Sequence, residues 1–373
     1  MKKRIWLSPP HMTGHELKHI NDAFASNWIA PVGPNITGFE EDIESFLNHE
    51  SYAVALNSGT AAIHLALELL NIKAGDEVLC QNKTFIASVN PVIYKGATPI
   101  FIDSEKSSWN ICPILLEQAI EDRLATTGKT PKAIIVVEIY GMPYNVDEVY
   151  RIASKYDIPI IEDSAEAMGS KYKNLHCGTL GNYSIFSFNG NKIITTSGGG
   201  ALLTRTASQK QEAVYLSTQA SDTKGNFEHS RIGFNYRMSN ISASIGRGQI
   251  KDIDNKIFKR RANFEYYYNA LANIKDIEFQ IEPANYYSNR WLTCILFKDE
   301  ETRNNVASHL NNENIETKYS WKPMHIQTVF KNAISYTNGV SEDLYKRGLC
   351  LPSGSSLEIE DLNRIINIIK TSI

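Results

Sequence analysis

Apolar positions recur with two alternating periods in the middle of this chain. Ser58-Gly59-Thr60 opens a helical pattern that runs to about Leu70, and Glu77 to Cys80 reads as a strand. Phe85 to Tyr94 reads as a helix and Thr98 to Ile102 as a strand. Further on, Lys132 to Val137 predicts a strand, Val146 to Tyr156 a helix, and Ile158 to Ile161 a strand. Strand and helix in alternation predict βαβ units: an α/β chain with a mostly parallel central sheet and helices on both faces. Ligands of such sheets bind beyond the carboxyl ends of the strands.

Upstream, Leu17, Ile20 and Phe24 share one face of a helix expected from Gly14 to Ser26. Pro31, Gly33 and Pro34 make Asn27 to Pro34 an ordered loop. After Lys251 the pattern changes to a long helix (Ile250 to Ala272), the strands IEFQ and WLTCILF, and a helix around Thr302 to Asn312. This predicts a large domain over 1–250 and a smaller C-terminal α+β domain over 251–373.

The stretch Gly181 to Leu203 carries the sharpest local signal. A β-prone run, Tyr183 to Phe188, breaks at Asn-Gly-Asn and is followed at once by Lys192. A second β-prone run, Ile193 to Thr196, then meets Gly198, Gly199 and Gly200. Strand, turn, strand and glycine turn place one amine at the mouth of a sheet. Burial there weakens a lysine's hold on its proton and makes it a nucleophile toward carbonyls. A hairpin tip that happens to carry a lysine fits the same pattern.

Three other features fall on the same edge. Ser58-Gly59-Thr60 at a helix start offers free N–H groups and a positive dipole end to a phosphate, or is an ordinary N-cap. Asp163 and Glu166 follow a strand, where acids meet ligands or cap helices. Phe85 can cover a flat ring or belong to the core.

Composition narrows the partners. A formal net charge of −3 with 21% charged residues gives no reason to expect nucleic acid or an anionic membrane. Five scattered cysteines without C-x-x-C spacing argue against disulfides or zinc, and nine histidines form no ligand spacing, His11 and His15 included. No apolar run approaches bilayer length. The start, MKKRIWLSPPHM, has too few apolar residues before Pro9-Pro10 for a signal peptide, so a cytoplasmic protein without a metal is expected.

A phosphate turn, an aromatic, a strand-end aspartate and a strand-end lysine form the parts list for pyridoxal 5'-phosphate. With LSPPHM, NWIAPVGP, NSGTAAIHLAL, TFIAS, IEDSAEAMGS, SFNGNKIITTSGGGAL, GFNYRMSN, WKPMH and LPSG, the chain resembles the DegT/StrS family of sugar aminotransferases, of fold-type I. SFNGNK with LSPPHM is most similar to the branch that aminates C4 of UDP-4-keto-6-deoxy-N-acetylglucosamine, on the way to bacillosamine-type sugars.

The resemblance implies that Lys192 is the Schiff-base lysine and acid–base, and that Asp163 partners the pyridine nitrogen. It puts Gly59, Thr60 and Ser187 at the phosphate and cofactor, Phe85 against the ring, and Glu166 near the phenolic oxygen. Asn235 would reach the phosphate of the neighbouring subunit, so that a homodimer shares its sites. Asn27, Trp28, Ile29 and Ala30, with Trp321, Lys322 and His325, resemble the loops that hold the nucleotide-sugar substrate. The amino-acid donor would be glutamate.

Two departures bear on the substrate. Thr317-Lys318-Tyr319-Ser320-Trp321-Lys322 stands where Thr-Arg-Pro-Leu-Trp-Lys is usual, and Ser221 stands where an arginine often follows Thr-Gln-Ala. Arginine and lysine do not grip phosphate alike. A GDP- or dTDP-4-keto-sugar substrate is the alternative. A related dehydratase would carry histidine in place of Lys192, and a non-catalytic regulator would not need the complete constellation.

Overall fold

In the computed structural model, which describes residues 3–222 and 228–373, an eight-stranded sheet organises the chain. Its strand order is Tyr52–Leu56, Gly200–Thr204, Tyr183–Ser187, Ile160–Asp163, Ala133–Val137, Glu77–Gln81, Thr98–Ile102 and Ser335–Tyr336. The pairings from Tyr183–Ser187 outward to Ser335–Tyr336 are parallel. Gly200–Thr204 runs antiparallel to both of its neighbours.

The parallel strands are mostly apolar because both faces are covered; every residue of Ala133–Val137 is buried. Successive side chains alternate between two cores. Ile135 and Ile161 pack with Ala62, Ile63 and Ala66 of helix Gly59–Leu69. Ile134, Val136 and Ile160 pack on the opposite face with Leu116 and Ile120 of helix Pro113–Thr127 and Val149 and Ile152 of helix Val146–Lys155. Each fully buried Leu, Ile or Val contributes about 1.5–3 kcal/mol.

A second, antiparallel sheet runs in the order Ile277–Phe279, Thr293–Phe297, Gly348–Leu351, Lys318–Tyr319. Helices Glu300–Asn312 and Ile359–Ser372 pack on it through Val306, Leu310, Ile365 and Ile369. Strand pairing also crosses residue 250: Ser335–Tyr336 joins the first sheet, Tyr286–Tyr287 pairs with Lys171–Tyr172, and Ile5 bridges Ile315.

Several local expectations change. Ile193 to Thr196 is not a strand; the chain turns from Phe188 through Lys192, and the return strand is Gly200–Thr204. Phe188 donates to the Gly199 carbonyl and Thr196 to the Phe188 carbonyl, so residues 189–198 form a loop at the sheet's edge. Glycine is required at 200, since a Cβ there would lie 2.4 Å from the Gly59 nitrogen. The segment Phe85 to Tyr94 splits into a 3-10 turn, Ile86–Ser88, and a short helix, Asn90–Tyr94, because Pro91 has no N–H to continue the first. Ile250 to Ala272 is not one helix: Asn240–Ile250 ends before Ile253–Leu271 begins. Helix Glu16–Ala25 buries Glu16 and Ala23, while Leu17 and Phe24 lie exposed.

Candidate active site

A cavity of about 430 Å³ opens at the carboxyl edge of the parallel strands. It is lined from five segments: Asn57 to Thr60, Thr84 to Ser88, Asp163 to Glu166, Ser187 to Lys192 with Gly198 and Gly199, and the indoles of Trp291 and Trp321. Each of the first four follows, or ends, a strand of the sheet, so the fold rather than the chain order brings them together.

Helix Gly59–Leu69 is capped by Ser58, whose Oγ accepts from the Ala61 nitrogen at 3.0 Å. Its first turn therefore meets the cavity with amides that the helix itself does not pair. The glycine at 200, packed against Ser58 and Gly59, lets the antiparallel strand approach this turn.

Asp163 ends its strand and is buried. Ser88 Oγ donates to Oδ2 at 2.5 Å and the Ala165 nitrogen to Oδ1 at 3.2 Å. Burial pushes its pKa above the ordinary aspartate value, while Ser88, Ala165 and the Lys192 charge pull the other way. A cationic nitrogen delivered into the cavity would favour the ionised form.

Glu166 accepts from the Tyr140 backbone nitrogen at 2.7 Å and from Trp321 Nε1 at 3.3 Å. Burial raises its pKa too, and Lys192 opposes that. Tyr140 holds φ 57° to present its N–H, a left-handed conformation rare outside glycine.

Lys192 lies at the turn after Phe188. Its Nζ is 3.6 Å from Glu166 Oε1 and 4.1 Å from the centroid of the Trp291 ring. Trp291 is itself fixed by donating Nε1 to the Asn191 carbonyl at 2.7 Å.

Gly59, Thr60, Phe85, Asp163, Glu166, Ser187, Lys192 and Trp321 thus share one cavity. Asn235, Asn27 to Ala30, Lys322 and His325 do not line it. Asn27 to Ala30 are exposed, with the Trp28 and Ala30 carbonyls held by Asn240. Asn235 is exposed, and its carbonyl accepts from Asn57 Nδ2 at 3.2 Å. His325 Nδ1 lies 2.7 Å from Asn82 Nδ2 and its Nε2 3.3 Å from Glu342. The sequence does not single out Ser88, Tyr140 or Trp291. Ser88 lies within the TFIAS motif, but nothing local marks the other two.

A lysine facing two buried carboxyls beside a helix N-terminus, at the edge of such a sheet, defines a pyridoxal-phosphate enzyme of fold-type I. Comparison with known proteins makes this particular: the chain belongs to the DegT/DnrJ/EryC1/StrS aminotransferase family, whose profile matches residues 10–370. EpsN of Bacillus subtilis (strain 168), whose name carries a provisional assignment to the pyridoxal phosphate-dependent aminotransferases, is 45% identical over 99% of this chain and 96% of its own. GDP-perosamine synthase of Escherichia coli O157:H7 is 36% identical over 96% of each chain. Among solved structures, the PLP-form of Spr1654 from Streptococcus pneumoniae superposes with a TM-score of 0.92 at 26% identity, covering 99% of this chain and 98% of that one. The protein is a transaminase and its cofactor is pyridoxal 5'-phosphate. Among the described residues, no helix is long and apolar enough to cross a membrane.

Proposed function

We propose that the protein transfers an amino group from an amino acid, glutamate in the first instance, to C4 of a nucleotide-linked 4-keto-6-deoxy sugar. The observation that carries this is the placement of Lys192 Nζ in one cavity with Asp163 and Glu166, 3.6 Å from the latter. When bound, the cofactor supplies an aldehyde for covalent attachment and a ring that takes up electrons as the amino group is exchanged.

Lys192 would hold the cofactor's aldehyde carbon covalently and, when free, would serve as the acid–base group for proton transfer within the cavity. Asp163, steadied by Ser88 and Ala165, holds a proton on the ring nitrogen. Glu166 would sit on the side of the ring's phenolic oxygen, and Phe85 would cover the ring, since both line the cavity. The amides of Gly59 and Thr60, with Ser187, receive the phosphate. The size of the cavity suits such a ligand, within the roughly 300–1,000 Å³ of ordinary small-molecule sites.

Asn235 serves the partner's site in a homodimer. Its exposure, its absence from this cavity and the exposed apolar side chains of Leu17, Phe24 and Ile232 support that reading. The loops Asn27 to Ala30 and Trp321 to His325 grip the nucleotide-sugar, and the former, exposed here, meets it in the assembled dimer. Residues 1–250 supply most of the cofactor domain and 251–373 most of the smaller one, with Ser335–Tyr336 reaching back into the first sheet, and the protein works in the cytoplasm.

For the sugar we favour UDP-4-keto-6-deoxy-N-acetylglucosamine, on the SFNGNK and LSPPHM motifs. The 36% identity to a GDP-perosamine synthase favours a GDP-linked 4-keto sugar as the second reading. Incubation with glutamate and a panel of UDP-, GDP- and dTDP-4-keto sugars, followed by mass spectrometry, decides between them. An amine gained by none of the panel rules out both.

A further inference from the structure

We propose that Lys83 is a positioning residue of the acid–base centre: it fixes Trp321 and, through it, holds Glu166 in place against Lys192. The inference rests on the roles proposed above for Glu166 and Lys192.

Lys83 sits in the connection after strand Glu77–Gln81, and its side chain is fully buried. Among the described residues, no carboxylate comes within ion-pair distance of its ammonium. A buried ammonium without a counterion is unfavourable, and an apolar side chain of similar length would fill the same space at lower cost. What the ammonium has instead is two acceptors on one short segment: Ser320 Oγ, and the Trp321 carbonyl at 3.3 Å.

Tyr140 holds the same segment from its other side. Its hydroxyl accepts from the Trp321 nitrogen at 2.9 Å and lies 3.2 Å from Ser320 Oγ, and its ring faces Lys83 Nζ at 5.9 Å. Lys83 on the carbonyl and Tyr140 on the N–H therefore fix the main chain of Trp321 between them. The Trp321 ring, edge-on to Tyr140 at 5.5 Å, reaches the cavity from this anchor.

Its Nε1 donates to Glu166 Oε1, the oxygen that also lies 3.6 Å from Lys192 Nζ. The other oxygen of Glu166 is held by the Tyr140 nitrogen. Moving Trp321 therefore alters the one carboxylate oxygen that faces the lysine. Lys83 touches none of the cavity, so its influence is indirect.

The groups facing Lys83 explain how the clamp titrates. Burial lowers its pKa to about 8, against smaller opposing effects from the Cys294 and Cys350 thiols, Asp103 and Glu166. Asp103 is engaged elsewhere, accepting from the amides of Asn338, Gly339 and Ser341. Tyr140 contributes no charge at neutral pH, since burial pushes its hydroxyl pKa well above the ordinary value.

The test uses Lys83→Met, Ser320→Ala and Trp321→Phe in the full chain. In the cofactor-loaded protein, Lys83→Met is expected to lower kcat by about tenfold with KM for the amino-acid donor within about twofold. It should also shift the pH midpoint of the visible cofactor band, with Ser320→Ala following in the same direction by a smaller amount. In the apoprotein, wild-type tryptophan emission should show a transition near pH 8, which Lys83→Met and Trp321→Phe both remove.

That last readout needs no cofactor, so it separates this inference from the functional reading. A wild-type protein that shows the emission transition but neither binds pyridoxal phosphate nor transaminates overturns the function and keeps the clamp. Apoprotein emission that Lys83→Met leaves the same as the wild type at every pH overturns the clamp. So does a Lys83→Met protein that only melts earlier, with kcat per folded molecule and the pH midpoint unchanged. Should Lys83→Met fail to fold, Ser320→Ala decides, and wild-type kcat and midpoint in that variant count against the proposal.

Discussion

Two pairs of buried carboxyl groups lie at the same strand ends, on opposite sides of the sheet. Asp163 and Glu166 line the cavity with Lys192; Glu138 and Glu162 lie behind it, with Cys177, their ligand atoms within 4.8 Å of one another. Glu162 and Asp163 are neighbours in sequence, so the two-residue period of a strand sends one to each side. Asp163 follows Ile161 toward helix Gly59–Leu69, and Glu162 follows Ile160 toward the opposite core.

The environments then give the same chemical group different work. In the cavity a cation opposes the effect of burial on both carboxyls. Behind it, Glu162 accepts from the nitrogens of Gly178, Leu180 and Gly181 and from Ser184 Oγ, the pattern of a carboxylate that pins a loop. Among the described residues no group meets either oxygen of Glu138 in full hydrogen-bond geometry, but the Glu162 carboxyl and the Ser164 hydroxyl lie beside it, and burial with the Glu162 charge holds its pKa well above the ordinary value. Glu138 thus holds its proton to a higher pH than an exposed glutamate does. The donor set already around Glu162, and a Cys177 thiol that burial keeps protonated, make this a poor metal site.

The cavity side of the comparison breaks first. Lys192→Ala should abolish turnover and the visible absorption of the bound cofactor together, read by spectrophotometry of the reconstituted protein. A coloured, active Lys192→Ala protein would end the transaminase mechanism proposed here. Asp163→Asn should follow, with kcat lower by about 10³-fold and stability little changed, because the Ala165 nitrogen can still donate to the amide oxygen while the Ser88 hydroxyl accepts from the amide NH₂. Retention of wild-type kcat would remove Asp163 from the chemistry.

The rear pair should respond the other way. Glu162→Gln places an NH₂ group among four donors, and unfolding free energy should fall by about 3 kcal/mol. Denaturant titration measures that loss, and kcat per folded molecule should stay within about twofold. A stable Glu162→Gln protein with impaired chemistry would invert the comparison.

These contrasts also mark what the sequence makes legible. Residues 58 to 60, 163, 187 and 192 are readable as one site because each ends or follows a strand. Parallel strands carry their carboxyl ends to one edge. The partners that tune them come from tertiary packing. Tyr140 offers a backbone N–H that depends on a left-handed φ, Trp291 arrives from the second sheet's entry, and Lys83 acts through a loop more than 200 residues away. The antiparallel strand Gly200–Thr204 is hard to place from sequence because Ile193 to Thr196 has stronger β-propensity than a strand beginning Gly-Ala. Close approach to Ser58 and Gly59, not propensity, decides its position. Glu162 carries no signal of its own, since nothing in IEDSAE distinguishes the acid that faces a ligand from the one that faces the core.

Glu138 offers the smallest effect and the most discriminating sign. In the unfolded chain it ionises near its ordinary value of 4.5, whereas in the folded protein burial and Glu162 keep it protonated well above that. The folded state therefore binds an extra proton across this window, and stability falls as pH rises from about 4.5 toward the folded pKa. Glutamine keeps the shape and a donor toward Glu162 but has no proton to lose. Glu138→Gln should match the wild type near pH 4 and become more stable by about 1–3 kcal/mol at neutral pH, since a tenfold difference in proton affinity between the folded and unfolded chain is worth about 1.4 kcal/mol. Urea denaturation of both proteins from about pH 4 to about pH 7 gives the difference. If the wild type instead gained on the variant with rising pH, Glu138 would be ionised in the fold, and the contrast between a cavity pair with a cation and a structural pair without one would fail.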